Sequence, residues 1–407
     1  MTAPASASST TRTFSLLVGL KNNLAYSKYF YARTRALYPA VELVFVSFNS
    51  VDGTHQWLDS LQDEHVRYYY ENRDRTLSDT YNKCIELATS DYVIFAHNDM
   101  VLAPGFIEEL TTLQTDRRVI FYTTIEPPIF ADDPRPGKII QDFGRDIDTF
   151  QQRAFFQFVA AERQRNTQAG QSVVATQKGI LFLTASRKVL LDMGGLDPLF
   201  NPMFCEDDDL VVRFRLNGME MCVALNAVCY HFVSKTSRFS AEYTHRTSQI
   251  ERQSVRNFIR KWGFATSATV QHRYDIGLIL TNGDAAVLGE LEPWVATVYT
   301  DLDPVSYVQQ EQPYTRIDLS RKIKPLTATR TNGILVSLDA RRATATQRQQ
   351  IAFLVEIIHH RLHKPRSPWK RLWRRIVPTF TWQGYRIRII DPTTSEARLI
   401  HKKLTYA

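Results

Sequence analysis

Apolar runs and helix-like segments alternate through the first part of the chain. The apolar runs at 14–19, 41–48, 66–70 and 92–96 predict strands, and helical spacing at 24–37 and 77–88 predicts helices between them. The run at 41–48 is almost uninterrupted, which is typical of a strand buried on both faces of a parallel sheet. This alternation predicts the α/β class, with a mostly parallel sheet sandwiched by helices. In such sheets ligands bind beyond the carboxyl ends of the strands.

The length of 407 residues predicts two or more domains. The alternation continues with strands predicted at 178–184 and 221–225 and helices predicted at 187–193, 206–216 and 248–262. A new strand pattern starts near Tyr274. We therefore predict a disordered N-terminal arm at 1–12, a first α/β domain at 13–267 and a smaller α/β domain at 268–407. The second domain carries no recognisable chemical motif. Its predicted elements are strands at 275–281, 294–299, 333–338 and 385–390 and a helix at 344–362. The predicted apolar face of that helix is Ile351, Leu354, Val355 and Ile358.

The net charge of +8 is concentrated in one segment, because 361–375 contains seven Lys or Arg residues and no acid. A generally basic surface for nucleic acid is therefore not indicated. Trp369 and Trp373 lie within this segment, so a contact of 364–376 with a membrane surface or an acidic partner is one interpretation. A solvated linker or helix face is the other.

The four cysteines form no CxxC pair, which argues against a zinc knuckle and is typical of a reducing compartment. No window holds the run of about twenty apolar residues that a membrane helix requires. The residues 1–12 lack the basic start and apolar stretch of a secretory signal. These features predict a cytoplasmic protein, with peripheral attachment to the inner face of a membrane as an open possibility.

Acidic and imidazole side chains follow several predicted strands. Asp99 comes just after the strand at 92–96, and His231 follows another apolar run. Four consecutive acids, 206–209, begin a predicted helix. Carboxylates and imidazoles can hold a divalent cation, and a carboxylate can serve as a general base. Taken alone, each feature has an ordinary explanation: acids cap helices, and Asp is common in turns.

In combination, these residues resemble glycosyltransferase family 2, over roughly residues 13 to 265. The resemblance implies the Rossmann-like GT-A fold of the nucleotide-diphospho-sugar transferases. Its most specific part begins with a Gly-Gly turn, continues through an acidic helix start and ends with a Tyr-His pair. The matching segments are Gly194-Gly195-Leu196-Asp197-Pro198-Leu199-Phe200, then Glu206-Asp207-Asp208-Asp209-Leu210, Arg213, Asn217-Gly218 and Tyr230-His231, and upstream Ser50-Val51-Asp52-Gly53-Thr54, Tyr81-Asn82 and His97-Asn98-Asp99.

The resemblance also implies roles for individual residues. Asp99 would bind Mn2+ or Mg2+ and, through the cation, the diphosphate of a nucleoside-diphosphate sugar; His231 and His97 complete the predicted metal site. Asp207 would activate the acceptor hydroxyl, with Glu206 as its rival. The residues predicted to lie at the nucleotide are Asp52, Asn82, Ser47 and Asn98. Ser47 stands where many members carry an aspartate that contacts the base.

The sequence thus predicts an inverting glycosyltransferase that uses a saccharide or glycoconjugate acceptor, on a glycan, lipid or protein. The loops at 129–172 are predicted to form the acceptor side. Asp209 is expected to brace its helix, and Arg213 to pair with a carboxylate. Two alternatives remain open: a sugar-nucleotide nucleotidyltransferase, and a non-catalytic carbohydrate-binding or scaffold protein with the same fold. The sugar, the acceptor, the role of the second domain and the oligomeric state are left open.

Overall fold

The computed structural model describes residues 12–132, 135–233, 245–363 and 379–400. These residues divide into two compact units, 1–198 with 206–247 and 199–205 with 248–407. Residues 248–267, which the sequence pattern grouped with the first domain, fall in the second unit. The arm predicted at 1–12, apart from its last residue, and the surface contact predicted at 364–376 lie outside the described residues. Among the described residues, no helix combines the length and apolar character required to cross a membrane.

The first unit alternates strands and helices through most of its length. Its strands are β1 (Phe14–Leu20), β2 (Glu42–Phe48), β3 (Val66–Glu71), β4 (Tyr92–His97), β5 (Met100–Leu102), β6 (Arg118–Glu126), β7 (Lys138–Ile140), β8 (Val173–Ala175), β9 (Leu183–Ser186) and β10 (Glu220–His231). Its helices are α1 (Leu24–Leu37), α2 (Thr54–Ser60), α3 (Leu77–Leu87), α4 (Phe106–Leu113), α5 (Gln152–Gln168), α6 (Arg187–Met193) and α7 (Glu206–Leu216).

The strands of the first unit form one ten-stranded sheet in the order β3-β2-β1-β4-β9-β6-β10-β5, with β7 beside β6 and β8 beside β10. β3, β2, β1 and β4 are parallel neighbours, and β6 is parallel to β10. β9 lies antiparallel between β4 and β6. The predicted α/β class with a mostly parallel sheet is therefore confirmed.

Apolar burial explains why the central strands lie where they do. Leu16, Val18, Leu43 and Phe45 of β1 and β2 are fully buried in the main core of this unit. α3 begins at a capping box, in which the Thr76 side chain accepts from the Asp79 backbone N–H and the Asp79 side chain accepts from the Thr76 N–H. Such a cap satisfies backbone donors that the first turn of a helix leaves without an intrahelical partner.

Several elements of the first unit differ from the sequence prediction, among them three strands of the sheet. β6 was not predicted, although it is a central strand. The strand predicted at 178–184 begins only at Leu183. The strand predicted at 221–225 continues to His231 as β10, whose pairing with β6 shifts register between Ala224 and Val228. Such an irregularity lets a long strand continue past a local break in the apolar pattern.

The second unit has its own six-stranded sheet in the order β13-β12-β11-β14-β16-β15. Its strands are β11 (Ile276–Thr281), β12 (Thr297–Thr300), β13 (Ile323–Pro325), β14 (Ile334–Asp339), β15 (Thr379–Trp382) and β16 (Tyr385–Ile389). Its helices are α8 (Thr247–Trp262, whose first residue is assigned to the first unit), α9 (Ala285–Leu291), α10 (Val305–Glu311), α11 (Leu319–Lys322), α12 (Ala345–Gln349) and α13 (Leu354–His363). The single helix predicted at 344–362 is wrong, because a 3₁₀ turn, Gln350–Phe353, separates α12 from α13. Its predicted apolar face is nevertheless buried: Ile351, Leu354, Val355 and Ile358.

Candidate active site and metal centre

Strand pairing brings the three predicted metal ligands to one edge of the sheet. His97 is the last residue of β4, and His231 is the last residue of β10. β5 starts just after Asp99 and pairs antiparallel with β10, with Met100 opposite His231. The backbone N–H of Phe232 donates to the carbonyl of Asp99 at 2.9 Å. Residues more than a hundred positions apart in the sequence therefore lie side by side.

His97, Asp99 and His231 form a compact group. The His231 Nε2 atom lies 3.4 Å from Asp99 Oδ1, and His97 Nδ1 lies 3.9 Å from the same oxygen. One ligand atom from each residue lies within 4.8 Å of the other two. Asp99 is only 1% exposed. Two imidazoles and one carboxylate at this spacing fit a divalent transition-metal cation.

The two imidazoles of this group have opposite electrostatic surroundings. Burial lowers the pKa of His97 to about 4, so its ring is neutral and able to ligate a cation. Burial also disfavours the charged form of His231, but the carboxylates of Asp99 and Glu126 outweigh it and raise its pKa to about 9. A metal-bound imidazole is neutral, so binding of a cation at His231 would release a proton.

Glu126 is a site residue that the sequence analysis missed. It ends β6, is 3% exposed, and its Oε1 lies 3.1 Å from His231 Nδ1. Arg135 pairs with the same carboxylate, and the Lys138 ammonium lies 3.6 Å from it. Burial opposes ionisation of Glu126, but the hydrogen bonds and positive charges of His231 and Arg135 hold its pKa at about 2. The signal in the sequence was an acid directly after the apolar run at 119–125.

Phe182 closes one side of the metal group. Its ring meets the rings of His97 and His231 edge to face, with centroids 5.0 Å from each. The Arg135 guanidinium lies over the ring of Phe182, 5.6 Å from its centroid. Aromatic edges that pack on both imidazoles limit their rotation, which keeps the ligand atoms in place.

Burial shifts the pKa values of acids at the start of α7 and of a nearby tyrosine. The pKa of the buried Tyr81 phenol is raised well above its ordinary value, chiefly by burial and also by the Asp99 and Glu206 carboxylates. Burial raises the pKa of Asp207, and burial together with Asp207 and Asp209 raises that of Asp208 to about 7. Carboxylates with pKa values raised toward neutrality are suited to general base catalysis.

Asp209 has a structural role, as expected. Its carboxylate accepts from Arg213 Nε at 2.8 Å, and both side chains are completely buried. The Arg213 guanidinium also donates to the carbonyls of Met193 and Gly195. This pair fastens α7 to the Gly-Gly turn. Gly195 has φ +68°, and a Cβ there would collide with the Asn82 amide oxygen, which explains the glycine.

Loss of this brace should be costly. We expect Asp209→Ala to lower the free energy of unfolding of the first unit by about 3–5 kcal/mol, because it leaves the Arg213 charge buried without its carboxylate. Lys188→Ala is the control, since it breaks an exposed Lys188–Asp192 pair on α6 and should cost less than about 1 kcal/mol. Urea unfolding compares the two variants. Equal losses of unfolding free energy in the two variants would contradict the structural role of the Asp209–Arg213 pair.

Two predicted nucleotide-side residues are hydrogen-bonded to neighbouring backbone. The Asn82 amide donates to the Leu196 carbonyl at 2.9 Å and accepts from the Leu196 N–H at 2.8 Å. The Asp52 carboxylate accepts from the Leu24 N–H at 2.7 Å and from the Thr54 hydroxyl at 2.6 Å. Both side chains therefore hold neighbouring loop backbone in place. Their contact with a nucleotide stays a prediction.

Ser47 and Asn98 are buried. The Ser47 hydroxyl lies 2.8 Å from Ser50 Oγ and 3.1 Å from His55 Nε2. The Asn98 amide nitrogen donates to the Ser27 hydroxyl at 2.9 Å. Ser47 is opposite Leu20 in the pairing of β2 with β1, and the preceding Gly19 is opposite His97. Ser47 thus lies at the same edge of the sheet as the metal group, but its hydroxyl is hydrogen-bonded to Ser50 and His55.

Comparison with known proteins supports the sequence resemblance over part of the chain. Residues 16–179 match the family model described as Glycosyl transferase family 2. This confirms the resemblance for that range; the motifs between Gly194 and His231 lie beyond it. Among curated proteins, no match to the chain was found.

Solved structures of glycosyltransferases are similar to the chain. One is GalNAc-T7 with UDP, GalNAc and Mn2+, at 12% identity and a TM-score of 0.45, covering 61% of this chain and 48% of that one. Another is the mannosyltransferase PcManGT from Pyrobaculum calidifontis with GDP-Man and Mn2+, at 17% identity and a TM-score of 0.38, covering 56% and 59%. The chain thus spans only about half to three-fifths of the length of these structures.

Proposed function

We propose that the first unit transfers a sugar from a nucleoside-diphosphate sugar to an acceptor hydroxyl, with inversion at the sugar carbon. The observation that carries this proposal is the His97–Asp99–His231 group at the carboxyl edge of the sheet. The family match over 16–179 supports the same chemistry. The acceptor would be a saccharide or a glycoconjugate.

His97, Asp99 and His231 are the residues that would hold a divalent cation. When bound there, the cation would neutralise charge on the diphosphate and make it a better leaving group. Asp99 supplies the charged ligand, and its burial keeps water from competing for it. Glu126, Arg135 and Phe182 support the two imidazoles from outside the group.

Asp207 is proposed as the general base. In a single displacement, the acceptor oxygen forms a bond to the sugar carbon while the bond to the diphosphate oxygen breaks with its electron pair. The hydroxyl proton passes to the Asp207 carboxylate, whose raised pKa makes it a better proton acceptor than an ordinary Asp. One displacement on the face opposite the leaving group inverts the configuration.

The ligand set predicts a preference among cations. Imidazole suits transition metals, whereas Mg2+ prefers oxygen ligands and keeps its waters. We expect Mn2+ to bind at least about tenfold more tightly than Mg2+. His97→Asp, which replaces one imidazole by a carboxylate, should narrow that difference. Calorimetric titration of both proteins with each cation measures it; equal affinities in the wild-type protein would contradict the assigned ligands.

Product analysis tests the proposed reaction. The purified protein is incubated with a panel of nucleoside-diphosphate sugars and acceptors, with Mn2+ or with a chelator. The proposed enzyme should release the nucleoside diphosphate and form a glycoside of inverted configuration, only in the presence of the cation. Pyrophosphate release from a nucleoside triphosphate and a sugar phosphate would instead identify a nucleotidyltransferase. Saccharide binding with no turnover of any donor would identify a non-catalytic binding protein.

A further inference from the structure

Glu126 contacts the imidazole nitrogen of His231 that faces away from Asp99. Its Oε1 lies 3.1 Å from His231 Nδ1, while His231 Nε2 lies 3.4 Å from Asp99 Oδ1. The ring is therefore held between two carboxylates, one on each nitrogen. We propose that Glu126 is a positioning residue that fixes the orientation and tautomer of His231 for cation binding. This inference rests on the proposed function of the metal group.

The fold holds Glu126 in register with His231. β6 and β10 are parallel, and Ile125 is opposite Tyr230, so the next residue of each strand is Glu126 and His231. These are also the last residues of the two strands. Strand pairing alone thus sets the backbone separation, and no flexible loop is needed to bring the carboxylate to the ring.

Three side chains hold the Glu126 carboxylate in place. The Thr124 hydroxyl donates to Oε1 at 3.2 Å, and Arg135 pairs with the same oxygen. The Lys138 ammonium lies 3.6 Å from Oε2 and also donates to the Phe130 carbonyl. A buried carboxylate with two cations nearby stays ionised and keeps its position. It is therefore a fixed acceptor for the Nδ1–H of His231.

The tautomer follows from this contact. A carboxylate is only an acceptor, so Nδ1 must carry a proton, and the neutral ring then keeps its lone pair on Nε2. Nε2 is the nitrogen that faces Asp99, on the side where His97 also lies. Such outer carboxylates orient metal-ligating imidazoles and increase their basicity, and their loss weakens metal binding about 10–100-fold.

A purely structural role for Glu126, as the partner of Arg135 and Lys138, is the alternative. Glu42 provides a matched control. It is also a carboxylate with little exposure and an arginine partner, Arg67, but it begins β2 at the opposite edge of the sheet. Removal of its charge tests what the loss of any such carboxylate does to the unit, without touching His231.

Mn2+ binding without nucleotide tests the inference, measured by electron paramagnetic resonance on the full chain. We expect affinity to fall about 10–100-fold in Glu126→Ala and by a smaller but still measurable factor in Glu126→Gln, because a neutral amide oxygen is a weaker acceptor for Nδ1–H than a carboxylate. Glu42→Gln should bind as the wild-type protein does. If Glu126→Ala does not fold, the near-isosteric Glu126→Gln carries the comparison.

Wild-type affinity in a folded Glu126→Ala or Glu126→Gln variant would overturn the positioning role while leaving the proposed function intact. An equal loss in Glu42→Gln would also overturn it, because the effect would then belong to buried carboxylates in general. Absence of Mn2+ binding to the wild-type protein would instead refute the metal group itself, and with it both proposals.

Discussion

Asp207→Asn is expected to reduce the turnover of sugar transfer by about 10²–10⁴-fold, the contribution of a general base, while the donor dissociation constant stays near its wild-type value. The amide has the same shape as the carboxylate but cannot take the acceptor proton. Steady-state turnover and calorimetric donor binding, both with Mn2+, measure the two effects separately. Because the acid form is inactive, wild-type activity should fall as the pH decreases through the raised pKa of Asp207.

The neighbouring acids provide the controls. Asp208→Asn removes a carboxylate of similar burial whose pKa is also raised, and Glu206→Gln removes the rival base. Both should retain more activity than Asp207→Asn. If Asp208→Asn or Glu206→Gln abolishes turnover while Asp207→Asn does not, the base is misassigned. Loss of donor binding in a folded Asp207→Asn variant would show that this residue holds the donor instead.

Asp99→Ala is expected to weaken Mn2+-dependent binding of a nucleoside diphosphate by about 10²–10⁴-fold, which corresponds to several kcal/mol of charge stabilisation. Asp99 is the anionic member of the His97–Asp99–His231 group. Its carboxylate is buried, so in the variant little solvent is available to take its place as a ligand. Titration of UDP and GDP with and without Mn2+ measures the loss.

Asp91→Ala, at an exposed position, is the control for this experiment. Asp91 comes just before β4, whereas Asp99 follows the carboxyl end of the same strand. Its substitution should leave nucleotide binding unchanged. Unaltered nucleotide affinity in a folded Asp99→Ala variant would contradict the role of Asp99 as a metal ligand. A similar loss of affinity in both variants would also contradict it.

The order of strands and helices was predictable because apolar periodicity is local. The bounds of α1, α6 and α7 match the predicted ranges, and β1, β2 and β4 lie within a residue or two of theirs. The grouping of Asp99 with His231 could also be predicted from the sequence. Parallel strands bring their carboxyl ends to one edge, and the family resemblance supplied the pairing.

The contact of Glu126 with His231 could not be predicted from the sequence in the same way. Glu126 is followed by two prolines, which suggests an ordinary turn. Its partner His231 lies 105 residues further along the chain. Only the pairing of β6 with β10, interrupted by the irregularity at Ala224 and Val228, brings the two together. Similarly, no local pattern indicates that the Ser47 hydroxyl is used by Ser50 and His55.

Thermal unfolding with a panel of nucleoside-diphosphate sugars tests the central claim most directly, since a ligand at about 100 times its dissociation constant stabilises its site by about 2.7 kcal/mol. At least one donor should raise the unfolding temperature of the first unit by several degrees with Mn2+, and not with a chelator. The Asp99→Ala variant should show no such shift. If no nucleoside diphosphate or its sugar stabilises the wild-type protein in the presence of Mn2+, the account of this chain as a cation-dependent glycosyltransferase is wrong.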